Sequence, residues 1–143
     1  MTRRQARELA LQALFQLDFN PDADEINSRE VQGKAIEAAA AELKDSAINS
    51  RSRKFIEGLV YGTMTFRDEI DKLINDAAKD WKVSRMAGVD RNIVRMAVYE
   101  LKFDDEKTDV GVVVNEAVEL AKKYGTDDSS RFINGVLAGV NKG

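Results

Sequence analysis

Apolar residues recur three and four positions apart almost from end to end of this 143-residue chain, and no segment holds a period of two. That spacing keeps one side of a helix apolar, whereas a half-buried strand needs every second residue. Breakers are scarce, with Pro21 the one proline among nine glycines. So few stops favour long helices over many tight turns. The length suits one domain, or two small halves sharing a core. The expected fold is an all-α bundle of about seven helices.

The helices follow from the apolar stripes. The first starts after Thr2, an acceptable N-cap, carries Ala6, Leu9, Ala10, Ala13, Leu14 and Leu17 inside, and is ended by Pro21. A second is expected over 28–43 with Val31, Ala35, Ala38, Ala39 and Leu43 buried, then a loop over 44–50. The third begins near Ser52 and buries Phe55, Ile56, Leu59, Val60 and Thr63, with Gly58 and Gly62 allowing tight packing. Thr65 and Asp68 form a capping pair for the fourth, whose stripe runs Ile70, Leu73, Ile74, Ala77, Ala78 and Trp81. Asp90 caps the fifth, through Ile93, Val94, Ala97, Val98 and Leu101. The sixth runs from Val110 to Tyr124 with Gly125 as its C′ residue. Asp127, Asp128 and Ser129 offer caps for the seventh, which carries Phe132, Ile133, Val136, Leu137 and Val140.

Chemistry is bounded by what is missing. Without cysteine there is no disulfide, thiolate metal site or cysteine nucleophile. Without histidine the commonest general base and every Ser-His-Asp triad are gone. Glu116 and Glu119 share a helix, but a bundle metal site pairs such carboxylates with histidines, so they read as a solvated face. The glycines form neither a dinucleotide fingerprint nor a Walker loop. No catalytic residue, metal site or cofactor is expected. No apolar run approaches a membrane span, and no secretory pattern opens the chain, which makes the cytoplasm the expected compartment.

Charge is unevenly spread. The total is −3, yet residues 18–49 hold eight acids against three bases, and the first seven residues hold Arg3, Arg4 and Arg7 with no acid. The stretch 121–143 has four bases against two acids. Local sign decides what a face attracts. At 100° per residue, Arg3, Arg4, Arg7 and Phe15 fall within roughly a 120° sector beside the core stripe. Arginine grips phosphate and an aromatic ring stacks an unpaired base. The same pattern also fits an exposed basic turn with a half-buried phenylalanine.

Four blocks then resemble one family in order and spacing. They are Arg3-Arg4-Gln5-Ala6-Arg7-Glu8-Leu9-Ala10-Leu11-Gln12-Ala13-Leu14-Phe15, Val89-Asp90-Arg91 through Tyr99-Glu100-Leu101, Val114-Asn115-Glu116-Ala117 through Tyr124-Gly125, and Asp128-Ser129-Ser130-Arg131-Phe132-Ile133-Asn134-Gly135-Val136-Leu137. Together they resemble the NusB transcription antitermination family. Departures are small: Val114 replaces a usual isoleucine, Asp109 lies where a proline often precedes the sixth helix, and Gln5 and Phe15 stand where some members have arginine and tyrosine.

The resemblance implies two helical subdomains packed together, about 1–80 and 81–143, in one RNA-binding domain. It implies binding of single-stranded boxA-type RNA from ribosomal RNA operons with the ribosomal small-subunit protein NusE, inside the RNA polymerase antitermination complex. The RNA-binding residues it implies are Arg3, Arg4, Arg7, Phe15, Arg95, Lys122, Lys123 and Phe132. Tyr99 and Glu100 are the candidates for the protein partner. Some of these residues have plainer roles open to them. Arg95 has acids near in sequence, Lys122 and Lys123 suit a helix C-terminus, and Phe132 lies on a core stripe. Asn115 reads as bonding another helix, Asn134 as bonding backbone and Gly135 as permitting close packing. The rival readings are a protein-only helical adaptor and a recruiting module like the helical domain preceding some ribosomal RNA methyltransferases. No methyltransferase domain is expected with this chain.

Overall fold

A computed structural model describes residues 1–43, 48–78 and 80–142. Residues 44–47 of the expected loop lie outside them. Among the described residues the chain forms eight α-helices and one 3-10 turn, Val83–Arg85. It divides into two units, Met1–Thr65 and Phe66–Gly143, rather than near residue 80. The reason is the helix Arg67–Ala77, which packs on helices that follow it in the chain.

Unit 1 holds α1 (Arg3–Phe19), α2 (Ala23–Ile26), α3 (Arg29–Ala41) and α4 (Ser50–Thr65). Thr2 and Gln5 start α1 as a capping box. The Thr2 hydroxyl accepts from the Gln5 amide at 3.1 Å, and the Gln5 side chain accepts from the Thr2 amide at 2.8 Å. The six expected core residues of α1 are all buried, and Leu11 and Arg7 join them. Ala10 and Ala13 are wholly enclosed, and such small side chains let α3 and α4 come close. The extra helix, α2, is a single turn capped by Asp22. In α3 the buried face is Gln32, Ala35, Ile36 and Ala39, while Ala38 and Leu43 are exposed. Gln32 goes inside because its amide donates to the Ile26 carbonyl at 2.8 Å. Gly58 faces open space, so no close packing needs it.

Unit 2 holds α5 (Arg67–Ala77), the 3-10 turn, α6 (Gly88–Lys102), α7 (Val110–Tyr124) and α8 (Ser129–Lys142). Thr65 is the last residue of α4, and α5 starts without a side-chain cap, which removes the expected Thr65–Asp68 pair. Helix α6 packs on α5, α7 and α8 and buries every residue from Asn92 to Val98. A helix enclosed on all sides needs its polar groups satisfied inside. Asn92 donates to the Gly88 carbonyl at 2.8 Å, and Arg95 meets Asp71 of α5. Asn115, Asn134 and Gly135 are exposed, and a Cβ at Gly135 would meet nothing within 4 Å. Their expected packing roles are not met.

Gly125 ends α7 in extended backbone, φ −94°, so the left-handed turn expected of a C′ glycine is not formed. Its need is space. A Cβ there would lie 2.5 Å from the Ser129 hydroxyl and 2.8 Å from the Ala121 carbonyl oxygen. The hydroxyl is engaged, accepting from the Thr126 amide at 2.9 Å. Gly125→Ala should therefore destabilise the protein by about 2 kcal/mol, the usual scale for overpacking, as read by urea unfolding. A loss under half that size would show that the turn relaxes freely.

Candidate nucleic-acid interface

Within unit 1 the first turn of α1 presents the basic face. Arg3 and Arg4 are exposed, and Arg7, one turn on, is 5% exposed. All three were expected on one surface, but Arg7 is drawn inward. Phe55 of α4 lies beside it. The Arg3 guanidinium carbon lies 4.1 Å from the centre of that ring, and the Arg7 carbon 5.3 Å. A cation over a ring face is attracted by the ring quadrupole. No pattern within α1 signals this ring, since Phe55 sits on a different helix and reads there as core.

Phe15 is half-buried and about 18 Å farther along α1 than Arg3, at 1.5 Å per residue. Its neighbour is Phe19, edge-on at 4.9 Å between ring centres, and Phe19 is 73% exposed. The arginines and Phe15 thus share a helix face without touching. Asp18 follows, and the exposed Asp22, Asp24 and Glu25 lie beyond the end of α1 at α2, so cation gives way to anion from the start of α1 to α2.

Within unit 2, Lys122 and Lys123 are exposed in the last turn of α7, with Lys122 3.5 Å from Glu119. Phe132 is half-buried and lines an open cleft of about 230 Å³ with Trp81, Arg85, Met86, Asp90 and Asp128. Trp81 is a correction. Helix α5 ends at Ala77, so Trp81 leaves the core stripe and is 54% exposed beside the cleft. The charged neighbours Asp80 and Lys82 were the available signal. The floor is held from α6, where Arg91 donates to the Met86 carbonyl at 3.0 Å and the Val83 carbonyl at 3.3 Å. Asn75 of α5 accepts from the Val83 amide at 2.8 Å.

Three expected site residues are placed elsewhere. Arg95 is 8% exposed and makes a forked pair with Asp71, at 2.8 and 2.9 Å. Such planar two-bond pairing fixes the side chain between α5 and α6. Glu100 is 4% exposed, and that burial withdraws it from a partner surface. Tyr99 is half-buried against Phe66, with ring centres 6.4 Å apart, and Phe66 stacks in turn on Phe103 at 4.8 Å. Burial, helped by the carboxylates of Asp104, Asp105 and Glu100, pushes the Tyr99 hydroxyl above its ordinary value of 10.0. Among the described residues no acidic group is assembled to hold a metal ion, and no helix is long and apolar enough to cross a membrane.

A helical chain with this arginine-rich first turn has clear relatives. The pattern of the NusB family matches residues 4–142. The chain belongs to the NusB family. The transcription antitermination protein NusB of Elusimicrobium minutum is 43% identical over 140 residues, covering 98% of this chain and 93% of that protein. The NusB protein of Symbiobacterium thermophilum is 44% identical, covering 100% and 91%. In three dimensions, T. maritima NusB superposes with a TM-score of 0.83 at 31% identity, over 99% of this chain and 92% of that one. A chain from a crystal structure of antitermination factors NusB and NusE in complex with dsRNA has a TM-score of 0.79 at 27% identity, covering 99% and 98%. The NusB family is one of transcription antitermination factors, not of enzymes.

Proposed function

We propose that this protein is an RNA-binding transcription antitermination factor of the cytoplasm. It binds boxA-type RNA of ribosomal RNA operon transcripts together with NusE, as part of the RNA polymerase antitermination complex, and catalyses no reaction. The observation that carries this reading is the start of α1, where Arg3 and Arg4 are exposed and Arg7 is buried one turn on. Family membership and the structural likeness to a NusB–NusE–dsRNA complex support it. In unit 1 the RNA-binding residues are Arg3, Arg4 and Arg7, with Phe15 farther along α1. In unit 2 they are Lys122, Lys123 and Phe132.

The basic contribution is small for a polyanionic ligand, and residues 18–49 are strongly acidic. RNA binding by this protein alone is therefore weak and falls steeply with salt. A partner touching the same RNA makes the second contact effectively intramolecular and raises affinity on the order of 100-fold. The test is a titration of single-stranded boxA-type RNA, its scrambled sequence and a duplex form, each with and without NusE at fixed salt. Preferential binding of boxA RNA, strengthened by NusE, is expected. Equal binding of scrambled RNA, or no gain with NusE, would overturn the reading, and NusE binding without RNA binding would favour the protein-only adaptor.

The cleft supplies a second readout. Trp81 is the only tryptophan in the chain and lines the cleft with Phe132. RNA reaching Phe132 should change Trp81 emission during the titration, and Phe132→Ala should reduce both the change and the affinity. A change in emission that persists undiminished in Phe132→Ala would remove Phe132 from the RNA contacts.

A further inference from the structure

We infer that Phe55 is the positioning residue of the RNA site, holding Arg3 and Arg7 as a preset pair before RNA arrives. The inference rests on the RNA-binding reading above. Arginine side chains are long and lose freedom on binding, which weakens affinity unless they are already fixed. Arg3 is in the first turn of α1, exposed, and its guanidinium carbon is 4.1 Å from the Phe55 ring centre. Arg7, one turn deeper, is 5.3 Å from the same ring centre and 5% exposed. One ring thus meets two guanidinium groups. The ring is half-buried on α4, a helix packed along α1, so it cannot follow a wandering side chain and instead fixes it.

A ring attracts a cation through its face and makes no use of the donor edge. The contact takes up the ring face and no hydrogen-bond acceptor, so the Arg3 N–H groups directed away from Phe55 serve phosphate oxygens. Arg7 keeps a second positive charge beside the same ring. The alternative physical arrangement is competition, in which Arg3 must leave the ring to reach RNA. The two differ in sign: removing the ring weakens RNA binding if it positions, and strengthens binding if it competes.

The experiment measures boxA-type RNA binding by the full chain for Phe55→Leu, Phe55→Tyr, Arg3→Ala and the Phe55→Leu/Arg3→Ala pair, with unfolding curves for each. Leucine keeps an apolar side chain but loses the quadrupole, and tyrosine keeps the ring. Phe55→Leu is expected to bind roughly 3- to 10-fold more weakly, the scale of freezing one or two long side chains. Phe55→Tyr should restore wild-type affinity. In the Arg3→Ala background, Phe55→Leu should add much less than it does alone, because its effect runs through that arginine. Unchanged or tighter binding by a folded Phe55→Leu overturns the inference, as does full additivity with Arg3→Ala. If Phe55→Leu fails to fold, the decision passes to Phe55→Tyr and to Phe55→Trp, and a folded ring variant that binds as weakly as Arg3→Ala overturns it. If wild-type protein binds no boxA RNA, the RNA-binding reading fails, a result distinct from all of these.

Discussion

Arg95→Ala should destabilise the protein by about 3 kcal/mol, the scale seen when one partner of a buried ion pair is removed. Asp71 would remain beside α6, its carboxylate stripped of two charge-assisted bonds at 2.8 and 2.9 Å and too enclosed for water to replace them fully. Arg95→Lys should recover part of the loss, since an ammonium keeps the charge but cannot match the fork. Replacing both Arg95 and Asp71 by apolar residues of similar size should be milder than Arg95→Ala alone. Urea unfolding followed by Trp81 emission gives these numbers. RNA binding, measured where Arg95→Lys is fully folded, should stay at the wild-type value. A clear loss there would return Arg95 to the RNA contacts.

Arg3→Ala with Arg4→Ala should weaken RNA binding by roughly 100-fold, about tenfold for each charged hydrogen bond to phosphate. The salt dependence should flatten by about 1.4 in log–log slope, since a single strand contributes about 0.7 per phosphate contact. Stability should change by no more than about 0.5 kcal/mol, because both side chains are exposed. Arg7→Ala is a different case. With 5% of the residue exposed, its removal opens a gap beside Phe55 and should cost about 1–3 kcal/mol of stability as well as affinity. Fluorescence anisotropy across a salt series separates these effects. An unchanged slope in the Arg3/Arg4 variant would show that neither residue meets phosphate.

Local chemistry made much of the fold readable. Thr2 marked the start of α1 as its N-cap, and the structure adds Gln5 as the other half of a capping box. The stripes of α1, α6 and α8 were readable because one side of each is almost purely aliphatic. Misreadings arose where the deciding partner lies elsewhere in the chain. Arg7 and Arg95 look like surface cations in their own helices, and are buried beside Phe55 and Asp71, which come from others. Gln32 looks exposed until the Ile26 carbonyl is placed next to it. Trp81 continued the α5 stripe by periodicity, yet the helix stops four residues earlier, and spacing alone carries no stop signal there. For the site, the basic end of α1 was legible and its aromatic support was not.

The enclosure of α6 sets how unit 2 opens. The backbone amides of Asn92 to Val98 lie in a helix flanked by α5, α7 and α8. Fraying at either end does not bring them to solvent. Their deuterium uptake must wait for the neighbouring helices to detach, so they should be the slowest to exchange in the unit and report its global opening. The first turn of α7, where Val110 and Val112 are both more than 40% exposed, lies at the other extreme and can open locally. Unit 2 therefore combines a slow centre with a quick margin.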